Sequence, residues 1–143
     1  MTNERMQKLA QAALNARAHA YVPYSHFPVG AALALKSGEI VTGCNIENAS
    51  FGLTNCAERT AIFKAISEGK SEIEGIVVVA DTSEPVSPCG ACRQVMVEFC
   101  PKDTQVRMMN LRGDLLDTTV GELLPGAFTK EDMDIREDTR ESV

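Results

Sequence analysis

Gly75-Ile76-Val77-Val78-Val79-Ala80 carries apolar side chains on consecutive positions, without the alternation of a half-exposed strand. Such a run reads as a central strand covered on both faces, so helices are expected on either side of its sheet. Downstream, Ser87 and Pro88 read as an N-cap and a first-turn proline, and Pro101 closes a helix spanning Cys89 to Phe99. Thr104 to Asn110 and Leu115 to Thr118 follow as short strands around Arg112-Gly113, and the closeness of that turn makes them antiparallel.

Upstream, Asn55 followed by Glu58 resembles a capping box. Ala57, Ala61, Ile62, Ala65 and Ile66 continue at helical period, and Gly69 supplies a left-handed stop. Val29 to Lys36 and Glu39 to Asn45 flank Ser37-Gly38, a two-residue connection that predicts a hairpin. Met6, Leu9, Ala10, Ala13, Ala16 and Ala20 predict an amphipathic N-terminal helix ending before Pro23. With short helical pieces near Val120 to Leu124, the order is α-β-β-α-β-α-β-β. The expected fold is α/β: a three-layer α-β-α sandwich around a mixed five-stranded sheet.

The 143 residues are one domain's worth of chain, and a 44% hydrophobic content suffices for one core. We expect a single catalytic domain over residues 1–130 and a flexible acidic tail over 131–143, which holds six acidic and two basic side chains. The longest strongly apolar run, Ile76 to Ala80, is too short for a membrane span, which predicts no membrane partner. The N-terminus lacks an apolar stretch of signal-peptide type, so the cytoplasm is the expected compartment. A net charge of −6 leaves no basic surplus for tracking phosphates; a small or neutral ligand fits better than a nucleic acid polymer.

The five cysteines, an odd number in a reducing compartment, point to metal or reactivity rather than disulfides. Cys89 and Cys92 stand three apart on a first helical turn, so their sulfurs can share one ion. Free backbone N–H groups and the positive end of the helix dipole favour the thiolate that a metal needs. Cys-x-x-Cys alone serves redox pairs, structural zinc and catalytic zinc alike. The third ligand candidate, Cys56, opens the preceding helix, and helices that follow strands begin at the carboxyl edge where α/β sheets place ligands. Three cysteines leave one tetrahedral position of zinc open, which separates a catalytic site from a closed one. Glu58, two residues after Cys56, is placed to carry protons for such a site.

Cys56-Ala57-Glu58 followed by Pro88-Cys89-Gly90-Ala91-Cys92-Arg93-Gln94 resembles the zinc-dependent cytidine deaminase family. The signature of zinc deaminases is His-x-Glu, then Pro-Cys-x-x-Cys, with the glutamate as proton carrier; here Cys56 replaces the histidine. The all-cysteine set resembles the small homotetrameric deaminases of free nucleosides. The likeness extends from Phe27-Pro28-Val29-Gly30-Ala31-Ala32 through Asn45-Ile46-Glu47-Asn48-Ala49 to Leu124-Pro125-Gly126-Ala127-Phe128. It implies one zinc ion per chain on Cys56, Cys89 and Cys92, with Glu58 catalytic. It further implies that Asn45 and Glu47 grip the ribose hydroxyls and that Phe27 stacks on the base. The backbone near Ala57 meets the base edge, and Phe128 reaches a neighbouring subunit's site. Arg59 matches a basic residue that hydrogen-bonds the thiolates, withdrawing charge that would blunt the zinc. Phe51 stands where many relatives carry tyrosine.

The implied activity is hydrolysis of cytidine and deoxycytidine to their uracil nucleosides and ammonia, a pyrimidine-salvage reaction. Three rivals stand beside it: deamination of an analogue such as blasticidin S, a closed zinc site with Cys44 as fourth ligand, and a Cys89/Cys92 redox pair. Asn45-Ile46-Glu47 argues against the first, since a ribose-gripping glutamate is what the cytidine enzymes resemble here. Cys44 and Cys100 otherwise read as small buried hydrophobes, and His19 and His26 as surface histidines.

Overall fold

The computed structural model describes residues 1–133, so most of the expected tail, 134–143, lies outside the described residues. Helix α1 (Asn3–Arg17) opens on Thr2, whose hydroxyl accepts the Arg5 N–H. Strands β1 (Val29–Leu35) and β2 (Ile40–Cys44) form the hairpin, and helix α2 (Ala57–Ser67) follows a short 3-10 turn at Phe51–Leu53. Then come β3 (Ile73–Ala80), α3 (Gly90–Phe99), β4 (Gln105–Met109), β5 (Leu115–Thr119) and the single turn α4 (Val120–Leu123).

The sheet order is β2-β1-β3-β4-β5, with only β3 and β4 parallel, so the sheet is mixed and five-stranded. The consecutive apolar run of β3 divides between two layers. Val77 and Val79 meet Met6, Leu9, Ala10 and Ala13 of α1, while Ile76 and Val78 pack with Ala61, Ile62 and Met96 of α2 and α3. Strand β1 does the same with graded sizes: Ala32 and Ala34 lie under α1, and Leu33 and Leu35 fill the thicker layer.

Topology then dictates where the two site helices start. Strands β2 and β3 are each antiparallel to β1 and therefore run in the same direction. The helices that follow them, α2 and α3, accordingly begin at the same edge of the sheet. Gly43 lets α2 settle there, since a Cβ at this position would lie 2.5 Å from Ala61 N and 2.6 Å from Ala57 O.

Three local expectations change. The hairpin loop holds three residues, 36–38, rather than two: Leu35 N–H donates to Glu39 O and Gly38 N–H to Leu35 O, each at 2.9 Å, with Gly38 at φ +95°. The N-cap of α2 is Cys56, not Asn55; the Asn55 amide donates instead to Thr60 Oγ1 at 3.2 Å, so no capping box forms. Likewise Cys89, not Ser87, caps α3, with its Sγ accepting the Cys92 N–H. The stop at Gly69 is as read: φ is +78°, and the N–H groups of Gly69 and Lys70 close a Schellman pair on Ile66 O and Ala65 O.

Candidate metal centre and substrate pocket

Two helices capped by cysteine meet at one sheet edge, and three sulfurs converge there. Cys56 Sγ and Cys89 Sγ are 3.8 Å apart, and together with Cys92 Sγ all lie within 4.8 Å of one another. Sulfurs bound tetrahedrally at a Zn–S distance of ~2.3 Å sit ~3.8 Å from each other, so the donor set fits zinc in both spacing and chemistry. Among the described residues no other group of three ligand-type side chains forms, and Cys44, at the end of β2, is not in this one. That removes the basis for a fourth protein ligand.

Electrostatics favour the thiolate at Cys56. Hydrogen bonding from the Cys92 thiol, and after it the Arg59 guanidinium, pulls the Cys56 thiol down to about 5 against the opposing effect of burial. Arg59 NH2 donates to Cys56 Sγ at 3.3 Å, one helical turn along α2. The same bond with Cys56, then burial, pushes the Cys92 thiol up, so the metal-free cluster holds its first negative charge on Cys56.

Glu58 follows on the first turn of α2 and is 4% exposed. Burial, above all, raises its carboxyl to about 7, with the neighbouring Cys56 charge adding to the shift. A carboxyl in that range can both take and give a proton near neutrality. Ala57, between Cys56 and Glu58, is fully buried.

A second group of residues is tied together next to Asn55, the residue before Cys56. Backbone bonds join Tyr21 to Asn45 and Glu47, and Ile46 to Asn55, laying chain 45–47 between the end of the α1 connection and the start of α2. Asn45 then pins the next loop: its Nδ2 donates to Phe27 O and its Oδ1 accepts the Val29 N–H, each at 2.8 Å. Glu47 Oε1 accepts the N–H groups of Tyr24 at 3.0 Å and Ser25 at 3.1 Å. The Ser25 side chain is the largest cause holding the Glu47 carboxyl below the usual range. Phe27 and His26 are both exposed on this loop, His26 at φ +55°, and the Tyr24 and Phe51 rings meet edge to face at 6.1 Å.

The structure thus brings Cys56, Cys89, Cys92, Glu58 and Arg59 together, with Phe27, Asn45 and Glu47 on the adjoining loops. Phe128 lies on the segment after α4, 62% exposed, its carbonyl accepting from Gln94 Nε2 at 2.9 Å. Sequence reading missed that Asn45 and Glu47 shape the loop bearing Phe27, and it gave no role to Arg93 or Gln94. Their partners lie up to 34 residues away, a separation that leaves no local signal.

A mixed sheet with three thiols at paired helix N-termini defines a metal-binding α/β domain. Residues 3–108 match the profile described as the cytidine and deoxycytidylate deaminase zinc-binding region, and the chain belongs to that family. A cytidine deaminase of Halalkalibacterium halodurans is 65% identical over 127 residues, covering 89% of this chain and 96% of the relative. The crystal structure of cytidine deaminase from Burkholderia pseudomallei superposes with a TM-score of 0.85 at 50% identity, covering 90% of this chain and all of that one. A blasticidin-S deaminase of Bacillus cereus is 38% identical over 110 residues, covering 71% of this chain and 77% of the relative.

Proposed function

We propose that this protein is a zinc-dependent hydrolase that converts cytidine and deoxycytidine to uridine and deoxyuridine with release of ammonia. The observation that carries the reading is the set of three sulfurs at zinc spacing, with a buried, near-neutral Glu58 on the same helical turn as Cys56. Membership of the deaminase family and the 65% identity to a cytidine deaminase support it, and the lower likeness to a blasticidin-S deaminase makes that analogue the comparison substrate.

Cys56, Cys89 and Cys92 hold one zinc ion per chain. Zinc bound there lowers the pKa of water toward neutrality, which makes a hydroxide-like nucleophile available at physiological pH. Glu58 takes up the proton at its carboxylate and passes it to ring nitrogen N3. Once the C4–O bond has formed at the protonated ring, Glu58 takes the remaining proton of that new hydroxyl and delivers it to the exocyclic amine, so that the C4–N bond breaks and ammonia leaves. The backbone near Ala57 receives the base edge, Phe27 stacks on the ring, and Asn45 and Glu47 take the ribose hydroxyls. Arg59 withdraws charge from the thiolates. Phe128 serves the site of a neighbouring copy within a homotetramer.

Residues 1–130 form the catalytic domain, with 131–143 outside it, and the enzyme works in the cytoplasm on salvaged pyrimidine nucleosides. No described helix is long and apolar enough to cross a membrane. The deciding experiment measures ammonia released from cytidine and from blasticidin S by zinc-loaded protein, with Glu58→Ala alongside. Cytidine turnover that vanishes in the variant, with zinc retained, is the expected result. Turnover of blasticidin S alone, or none by folded zinc-replete protein, would overturn the reading.

A further inference from the structure

Directly after the ligand Cys92, two polar side chains reach in different directions from α3. Arg93 Nε donates to Pro88 O at 2.9 Å, and its NH2 donates to Ser87 Oγ, so the guanidinium grips the two residues that lead into Cys89. Its remaining nitrogen, NH1, donates to Leu123 O at 2.8 Å, the last residue of α4. Gln94 Nε2 takes the next anchor along that chain, Phe128 O at 2.9 Å. Between these two anchors run only residues 124–127, so both ends of the segment preceding Phe128 are tied to the first turns of α3.

We propose that Arg93 and Gln94 are positioning residues with separable tasks. Arg93 holds the Ser87-Pro88 approach so that Cys89 meets the metal, and Gln94 sets the backbone register that presents Phe128. This rests on the reading above, in which Cys89 binds zinc and Phe128 serves a nucleoside site. The chemistry of the two groups separates the tasks. A planar guanidinium with several fixed donors can satisfy three acceptors at once, which an ammonium on a flexible stem cannot do with the same geometry. A single amide-to-carbonyl bond fixes one strand of backbone and little else. The segment beyond α4 contributes no ligand, so loosening its far end leaves the sulfurs where they are, whereas loosening residues 87–88 moves a sulfur directly.

The test compares zinc-loaded wild type with Gln94→Leu, Arg93→Lys and Ser87→Ala, using cytidine kinetics and zinc competition against a chelator. Gln94→Leu is expected to raise KM roughly three- to tenfold, the weight of one hydrogen bond, with kcat within about twofold and wild-type zinc affinity. Arg93→Lys is expected to weaken zinc binding roughly 10- to 100-fold, as loss of groups orienting a metal ligand does. Ser87→Ala removes one of the Arg93 acceptors without touching α3 and is expected to weaken zinc by about three- to tenfold, so the metal arm survives should Arg93→Lys fail to fold. Zinc affinity unchanged in Ser87→Ala and in folded Arg93→Lys would overturn the proposal. So would Gln94→Leu losing zinc as Arg93→Lys does, or keeping a wild-type KM. A wild type that binds zinc without turning over cytidine overturns the proposed function while leaving the zinc arm to judge Arg93.

Discussion

Arg59 NH2 donates to Cys56 Sγ at 3.3 Å, placing a guanidinium against the sulfur that carries the first negative charge of the cluster. Three thiolates on a dication leave a net negative charge, which weakens its pull on a bound oxygen unless donors withdraw electron density. Arg59→Gln removes the charge and, with an amide two bonds shorter than the guanidinium, the bond to the sulfur. We expect kcat on cytidine to fall roughly 10- to 100-fold with zinc still bound at saturating metal. Metal analysis of the protein used for kinetics checks both halves, and an unchanged kcat would remove the charge argument.

Glu58 stores destabilisation in the fold. Its folded value of about 7 stands above the ordinary 4.5, so the metal-free folded state holds a proton that the unfolded chain releases between those pH values. The stability gained by holding that proton is present below about pH 4.5 and lost as pH rises through about 7. Glu58→Gln has no such proton. Relative to wild type, the chelator-treated variant should gain on the order of 3 kcal/mol between pH 4 and pH 8, read by urea unfolding at both values. A parallel pH dependence in the two proteins would mean that Glu58 is not buried in its charged form. The zinc-loaded variant should meanwhile lose turnover by roughly 100- to 10,000-fold.

The same burial explains what could be read from the sequence and what could not. Strand β3 was legible because covering both faces of a strand demands apolar residues at successive positions, a signature written locally in Ile76 to Ala80. The three cysteines and Glu58 were legible for a related reason: each sits within two residues of a helix start, where caps and prolines mark the chain. The hairpin turn was misread because the bond from Gly38 N–H to Leu35 O takes a third residue into the loop and sets Gly38 at φ +95°, a bulge that the Ser37-Gly38 pair does not distinguish from a two-residue turn. Both caps were assigned too early because Asn55 and Ser87 are better oxygen acceptors than the cysteines that hold those positions. There the geometry answers to the sulfurs of the cluster rather than to cap preference. The anchoring of the Phe27 loop by Asn45, 16 and 18 residues along the chain, has no periodic or capping signature at all.

Gly43 should behave as part of the site although it carries no side chain. Adding a methyl group forces it within 3 Å of backbone atoms of Ala57 and Ala61, and backbone cannot rotate away as a side-chain end can. Gly43→Ala should therefore cost about 1–3 kcal/mol of stability and displace the first turn of α2, lowering zinc affinity as well as Tm. Gly52→Ala, where an added Cβ meets nothing within 4 Å, is the control and should leave Tm nearly unchanged. Zinc affinity preserved in a destabilised Gly43→Ala would show that α2 keeps its place by other means.

In the proposed reaction the Glu47 carboxylate bears on which sugars are accepted. The Ser25 side chain and the N–H groups of Ser25 and Tyr24 hold it below the usual carboxyl range, so it is fully ionised at neutral pH. An anion fixed where the sugar is expected favours a neutral nucleoside with hydroxyl donors and repels a phosphorylated one. We expect kcat/KM for cytidine to exceed that for cytidine monophosphate by at least about 100-fold, the discrimination that an unpaired charge imposes. Glu47→Gln should narrow the ratio from both sides, weakening the grip on the sugar hydroxyls while relieving the repulsion. Because Glu47 also ties down Tyr24 and Ser25, the variant loses affinity for cytidine in part through the Phe27 loop. The ratio of the two substrates, rather than either constant alone, is therefore the quantity to measure. Equal turnover of cytidine and its monophosphate by the wild type would place Glu47 away from the sugar and return Asn45-Ile46-Glu47 to a purely loop-building role.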